Sequence, residues 1–140
     1  MPTISATVTN SQGQHAVALS TNDRTHALTI APGASGFGSS ANGGELLFLA
    51  LATCYCNDIY REAARQNIVV HSVEVTVDGD FDAAPGSAAQ NVRYSARVEA
   101  EASEADIEAL MRHTDMVAEI HNTLRQGAAV TLASVQAVTV

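Results

Sequence analysis

Apolar and polar positions alternate with a period of two through the first thirty residues. Ile4, Ala6 and Val8 alternate with Ser5, Thr7 and Thr9; Val17 and Leu19 repeat the pattern, and Leu28 and Ile30 give a third instance. Such alternation predicts half-buried strands, with Gly13 and the polar stretch Thr21 to Thr25 as the turns between them. Three consecutive strands with short connections predict an antiparallel meander. The pattern changes from Glu45 to Gln66, where a long helix is predicted. Its first half is apolar nearly all round, and its second half, Asn57 to Gln66, is polar on one side. Leu46 to Cys56, broken only by Thr53, rises roughly 16 Å as a helix, about half a bilayer core, so it reads as a buried helix and not a membrane span. A small domain struggles to cover such a helix on all sides, which points to a partner subunit.

Beyond the helix, Val69, His71, Val73, Val75 and Val77 are expected on one face of a strand. Val92, Tyr94, Ala96, Val98 and Ala100 line one face of a second, joined through Asp82 to Gln90. The pair reads as an antiparallel hairpin with one wet face. Ser103 is a helix N-cap with acids in the first turn; Ile107, Leu110 and Met111 make the inner stripe. Met116 to Arg125 predicts a further short helix with Val117, Ile120 and Leu124 inward, ended by Gly127. The β-branched run Val130 to Val140 is expected to close the sheet. Between the meander and the long helix lies Pro32 to Gly44, PGASGFGSSANGG, which reads either as a site loop or as a plain crossover.

Composition narrows the function classes. The chain has 140 residues, 46% of them apolar and 16% charged, which excludes an intrinsically disordered chain and fits a single domain over residues 1–140. Its net charge is −8, with arginine the only strong base and no basic run. Neither nucleic acid nor an anionic membrane is an expected partner, since both are bound through clustered cations. Met1 to Gln12 lacks a basic start followed by an apolar block, so a cytoplasmic location is expected. Two cysteines do not make a disulfide framework, and in a reducing compartment thiol chemistry is their expected use.

Cys54 and Cys56 project about 200° apart on a helix and cannot be bridged without local unwinding. Cys54 shares its face with Leu47, Ala50, Leu51, Asp58 and Arg61. A reactive thiolate needs a cation or hydrogen-bond donors, and Arg61 lies about two turns away, roughly 10 Å along the axis. An activating group is therefore expected from elsewhere. The bland alternative is that both cysteines are small buried hydrophobes. His113, Asp115, Glu119 and His121 lie close in sequence but lack metal-ligand spacing, and His71 reads as a core or interface histidine. Asp78 to Asp82 starts like a calcium loop, but Ala83 and Ala89 stand where glycine and glutamate are needed. The glycine loop matches no phosphate-binding pattern. No metal and no cofactor is expected.

Read together, these segments resemble the OsmC/Ohr family of osmotically inducible and organic hydroperoxide resistance proteins, small bacterial thiol peroxidases. The residues that carry the resemblance are Gly43 to Ala63 (GGELLFLALATCYCNDIYREA), the strand pair containing Glu74 to Phe81 (EVTVDGDF), and His121 to Gly127 (HNTLRQG). The resemblance implies an α+β fold built as an intertwined homodimer, with long central helices packed between antiparallel sheets and active sites at the subunit interface. It also implies a cysteine-based hydroperoxide reductase of oxidative-stress defence. A thiolate attacks an organic hydroperoxide, a second cysteine closes a disulfide, and a dithiol reductant reopens it.

Cys54 falls on the family's peroxidatic position. The position of the second cysteine is Ala118, followed by Glu119, which places the chain in a variant subgroup without the usual resolving cysteine. The glutamate expected to hold the catalytic arginine falls on Gly44, one residue before Glu45. The first strand turn, Ser11 to His15, has no arginine, and Arg24 in the next connection is the candidate to substitute for it. Cys54, Cys56, Glu45 and Arg24 are thus the candidate catalytic residues. Cys56 is a variant resolving thiol or a bystander, and His121 is an alternative base. Without a cation, a thiol on a mostly apolar helix is expected to have a raised pKa. Two other readings stand beside the peroxidase: a catalytically degenerate dimer acting as a small-molecule binding or scaffold protein, and a thiol enzyme acting on another electrophile.

Overall fold

In the computed structural model, which describes residues 1–140, the first two strands form as β1 (Ile4–Ser11) and β2 (Gln14–Thr21). They pair antiparallel with Val8 opposite Val17 and Ser11 opposite Gln14. The third strand differs from expectation. β3 is Arg24–Ala27, and Leu28 and Ile30 fall after it. Asn22 adopts a left-handed conformation (φ 53°), so the turn closes within two residues and Thr21 pairs directly with Arg24. The polar stretch that reads as a turn is therefore mostly strand. This three-stranded sheet belongs to a first compact unit, Met1–Leu47.

The glycine loop is tied to the β1–β2 hairpin. The Asn10 side-chain amide donates to the Gly38 carbonyl at 2.9 Å, and the Gly38 N–H donates back to Asn10 Oδ1 at 2.9 Å. The Gly13 N–H donates to the Gly36 carbonyl at 2.6 Å. The loop ends at Asn42, the N-cap of α1 (Gly43–Arg65). Asn42 and Glu45 form a reciprocal capping box: the Glu45 N–H donates to Asn42 Oδ1 at 2.8 Å, and the Asn42 N–H donates to Glu45 Oε1 at 2.9 Å.

The second unit, Phe48–Val140, holds the rest of α1, the antiparallel hairpin β4 (Val69–Asp80) and β5 (Gln90–Glu101), α2 (Glu104–Val117) and α3 (Glu119–Gln126). This is an α+β arrangement with a long helix packed on an antiparallel sheet. Tyr55, Ile59 and Ala63 of α1 meet Leu110 of α2, and Val73, Val75, Ala96 and Val98 of the hairpin pack against that cluster. Ile59 and Leu110 are wholly buried. α1 stops where Asn67 turns left-handed (φ 56°), and the Ile68 N–H closes the end on the Ala63 carbonyl at 2.9 Å. Ser103 caps α2 as expected, accepting from the Asp106 N–H at 3.1 Å.

Three further expectations are corrected. A bulge between Val70 and Ser72 shifts the side-chain parity of β4, so Val70 joins Val73, Val75 and Val77 on the inner face. His71 is thereby turned outward, with Nε2 3.2 Å from Glu101 Oε2. On α3, Leu124 is exposed and His121 is buried instead, because α2 and α3 are separate helices that break at Ala118 (φ −69°, ψ 111°). The run Val130–Val140 forms no strand and is exposed throughout. A strand forms only where its backbone groups find a partner ladder, and this segment has none in its own chain.

Candidate functional site

Cys54 is half-buried on α1, and the helix itself supplies its first neighbour. One turn on, Asp58 comes onto the same face, and the Cys54 thiol donates to Asp58 Oδ2 at 3.5 Å. The second neighbour comes from across the unit. Ala118, a small residue with no exposed surface, breaks the chain between α2 and α3 and starts α3 against α1. Glu119 Oε2 then lies 3.9 Å from the sulfur, and the backbone N–H of Ile120 comes to the thiol's side, where it favours the thiolate.

Arg61 closes this cluster. Its Nη1 lies 2.8 Å from Glu119 Oε1 and 3.2 Å from Asp58 Oδ1, and its Nε donates to Glu62 Oε2 at 2.8 Å. Glu62 is buried and also bonds His113 Nε2 at 2.7 Å. The separation along the helix that rules out a direct Cys54–Arg61 pair is spanned by two carboxylates. Burial, then Asp58 and Glu119, push the Cys54 thiol above its ordinary pKa, against the pull of the Ile120 N–H. Burial also raises Asp58, and the neighbouring Glu119 adds to the rise against the opposing pull of Arg61. Glu119 itself is lowered, by its own backbone N–H and by Asp58 and Arg61. The Cys54 sulfur and the two carboxylates are donors of metal-ligating type, lying within 4.8 Å of one another. Arg61 already holds both carboxylates, so the charge balance is that of an ion-pair cluster and not of a cation cage.

The other sequence-derived candidates lie elsewhere. Cys56 is half-buried beside a cavity of about 250 Å³ lined by Thr53, Asn57, Val73 and Val75, with no bond between the two sulfurs. The Glu45 carboxylate is used in the capping box with Asn42. Arg24 opens β3, is exposed and makes no ion pair. His121 packs edge-on to Tyr94, with ring centroids 4.7 Å apart, and neither ring nitrogen has a hydrogen-bond partner. Of His113, Asp115, Glu119 and His121, no two share a bond; they diverge to Glu62, Tyr94, Cys54 and the aromatic cluster. A groove of about 690 Å³ lies between β5 and α2, lined by Tyr55, Tyr94, Ala96, Met111 and Met116. Sequence reasoning put Asp58 and Arg61 on the Cys54 face without giving either a role, and it missed Glu119 as a neighbour of the sulfur. The visible signal was Asp58 four residues after Cys54, an acid on the face of an otherwise apolar helix.

The helix-borne cysteine on an α+β unit defines a class. The family model described as OsmC-like protein matches residues 36–133, and the chain belongs to that family. Among solved structures, an OsmC-like protein from Mycoplasma pneumoniae is similar at 18% identity, with TM-score 0.62 and coverage of 89% of this chain and 87% of that one. An organic hydroperoxide resistance protein from Elizabethkingia anophelis is similar at 16% identity, with TM-score 0.57 and 88% of each chain covered. An OsmC-like hydroperoxide resistance protein from Jannaschia sp. CCS1 gives 16% identity and TM-score 0.54, covering 91% of this chain and 87% of that one. At such identities the likeness is one of fold. No curated protein matches the chain.

Proposed function

We propose that the protein is a thiol-dependent peroxidase that reduces organic hydroperoxides in oxidative-stress defence, with Cys54 as the nucleophile. The carrying observation is the placing of the Cys54 sulfur against the start of α3, beside Glu119 and the Ile120 N–H. Ala118, at the family's second-cysteine position, directly precedes this contact. Family membership and the likeness to two hydroperoxide resistance proteins support the reaction. The chain acts as one functional domain over residues 1–140, and it works as a homodimer. Leu49 (53% exposed) and Tyr60 (45% exposed) on α1, Ile4 and Val8 on β1, and the apolar residues of the Val130–Val140 tail are large apolar side chains left for a second copy to cover. The pocket over Cys54 is completed by that copy, and Arg24 and Glu45 act through it. With no cysteine at Ala118, Cys56 or an external dithiol resolves the sulfenic acid. The site of action is the reducing cytoplasm.

The test is consumption of cumene hydroperoxide with a dithiol. Cys54→Ser is expected to abolish it, and Cys56→Ser to retain the first oxidation step. Equal consumption in native protein and both variants would refute the proposal. One observation favours a second reading, a dimer that binds small molecules without turnover: two carboxylates face the thiol and hold its pKa up. That reading predicts no Cys54 oxidation by hydroperoxide at any pH.

A further inference from the structure

We propose that Asp58 is the proton acceptor for the Cys54 thiol and the proton donor to the departing alkoxide, with Arg61 and Glu119 as its positioning residues. The inference rests on the reading of Cys54 as a peroxide-reducing nucleophile and specifies how that site runs without the family's arginine beside the sulfur.

The geometry carries it. Of the two carboxylate oxygens in reach of the thiol, Asp58 Oδ2 at 3.5 Å is nearer than Glu119 Oε2 at 3.9 Å, while Asp58 Oδ1 is held by Arg61 Nη1 at 3.2 Å. One oxygen is thus anchored and the other faces the proton to be moved. Asp58 is 6% exposed, so its partners are fixed and water does not compete freely for Oδ2. Glu119 Oε1 shares the same Arg61 Nη1 at 2.8 Å, and Glu62 Oε2 holds Nε at 2.8 Å, which keeps the guanidinium from turning away. The charged groups facing Asp58 are Cys54 and Arg61 from α1 and Glu119 from α3. Burial raises Asp58 while Glu119 is lowered, so Asp58 is the more basic of the two carboxylates that face the thiol.

In the step, the Cys54 sulfur attacks the terminal oxygen of R–O–O–H. The S–O bond forms as the O–O bond breaks, and the sulfur pair is the reductant. The thiol proton passes to Asp58 Oδ2 and from there to the leaving RO⁻, giving R–OH. The terminal hydroxyl keeps its own hydrogen and becomes Cys54–S–OH, the sulfenic acid. The Ile120 N–H, which lowers the thiol pKa, favours the negative charge as the proton leaves. Asp58 ends in its starting state, so no further reactant is required for this half-reaction.

Single-turnover oxidation by cumene hydroperoxide in the Cys56→Ser chain, where Cys54 is the one thiol, tests the assignment; thiol loss is followed by rapid quench and mass spectrometry. Adding Asp58→Asn is expected to slow oxidation at pH 7 about 100-fold, the lower range of general acid–base effects, with the two rates converging at high pH where the thiol ionises unaided. Alkylation by iodoacetamide at pH 7 is expected to speed up in the same variant, because loss of a facing negative charge eases ionisation. A carboxylate that merely repelled the thiolate would move both rates upward, so peroxide oxidation unchanged or faster in Asp58→Asn overturns the inference. Glu119→Gln, altered at an exposed side chain, provides a second arm should Asp58→Asn not fold. It is expected to slow oxidation by up to about 10-fold, because Arg61 and through it Asp58 are held less firmly, whereas a loss of about 100-fold would put the base on Glu119 instead and overturn the inference. If Cys54 in the Cys56→Ser parent resists peroxide at every pH, the peroxidase reading itself fails, and the inference with it.

Discussion

Asp58 Oδ2 stands 3.5 Å from the Cys54 sulfur, one turn along the same helix, and accepts the thiol proton in a hydrogen bond. Burial and this carboxylate together raise the thiol pKa, so at pH 7 the thiolate fraction is below that of a free cysteine. In the Cys56→Ser chain, alkylation of Cys54 by iodoacetamide is expected to keep rising beyond the free-thiol value of about 8.5. A plateau reached below pH 8 would contradict the arrangement.

Leu49 and Tyr60 expose apolar surface on opposite stretches of one buried-type helix. Sedimentation of the native chain at micromolar concentration is expected to give a dimer. Leu49→Asp introduces a charge that a dry interface cannot hydrate, and it should shift the boundary to the monomer mass. A native chain that sediments as a folded monomer removes the dimer from the proposal.

His121 is 4% exposed, and neither ring nitrogen is paired. Burial lowers its pKa, Arg125 adds to the fall, and Asp115 opposes it; the uncharged Tyr55 and Tyr94 rings pack beside it. The folded state therefore keeps the ring neutral, while the unfolded chain takes up its proton near pH 6.5. The stability from the neutral ring is present above that value and is lost as pH falls towards the depressed folded value. Tm is expected to drop between pH 7 and pH 5, and His121→Phe should flatten that dependence. An unchanged slope in the variant would count against it.

Tyr94 donates its hydroxyl to Asp115 Oδ1, which also accepts from Arg125 Nη2 at 2.7 Å. Burial alone would raise Asp115, but Tyr94 and Arg125 outweigh it and hold the carboxyl below its ordinary range. Tyr94→Phe is expected to lower unfolding stability in urea by about 1.5–3 kcal/mol, as for a hydrogen bond to a charged group. Tyr55→Phe, which frees only the Met111 carbonyl from a 2.9 Å bond, should lower it by about 1 kcal/mol. Equal losses would mean the carboxylate adds nothing to the Tyr94 bond.

Much of the second unit was legible in the chain. The period-two pattern located β4 and β5, and the Ser103 cap located the start of α2, because these depend on neighbours a few residues away. Parity within β4 was not legible past Val70, since a bulge depends on the partner strand and leaves no mark in alternation alone. The third strand was misplaced because one left-handed asparagine shortens a turn that composition made look long. The fate of Val130–Val140 was likewise out of reach: strand propensity says that a segment can pair, not that an edge is waiting for it.

The candidate site divides in the same way. Sequence by itself determined that Cys54 sits on a long apolar helix with Asp58 and Arg61 on its face, because helical geometry is a property of spacing. It also determined that Cys56 turns to the other side. Only the tertiary structure decided that Glu119 reaches the sulfur from another helix and that Arg61 is tied to it through carboxylates. That contact is made by residues far apart along the chain, brought together by the break at Ala118, and no local pattern encodes the direction in which a helix leaves such a break.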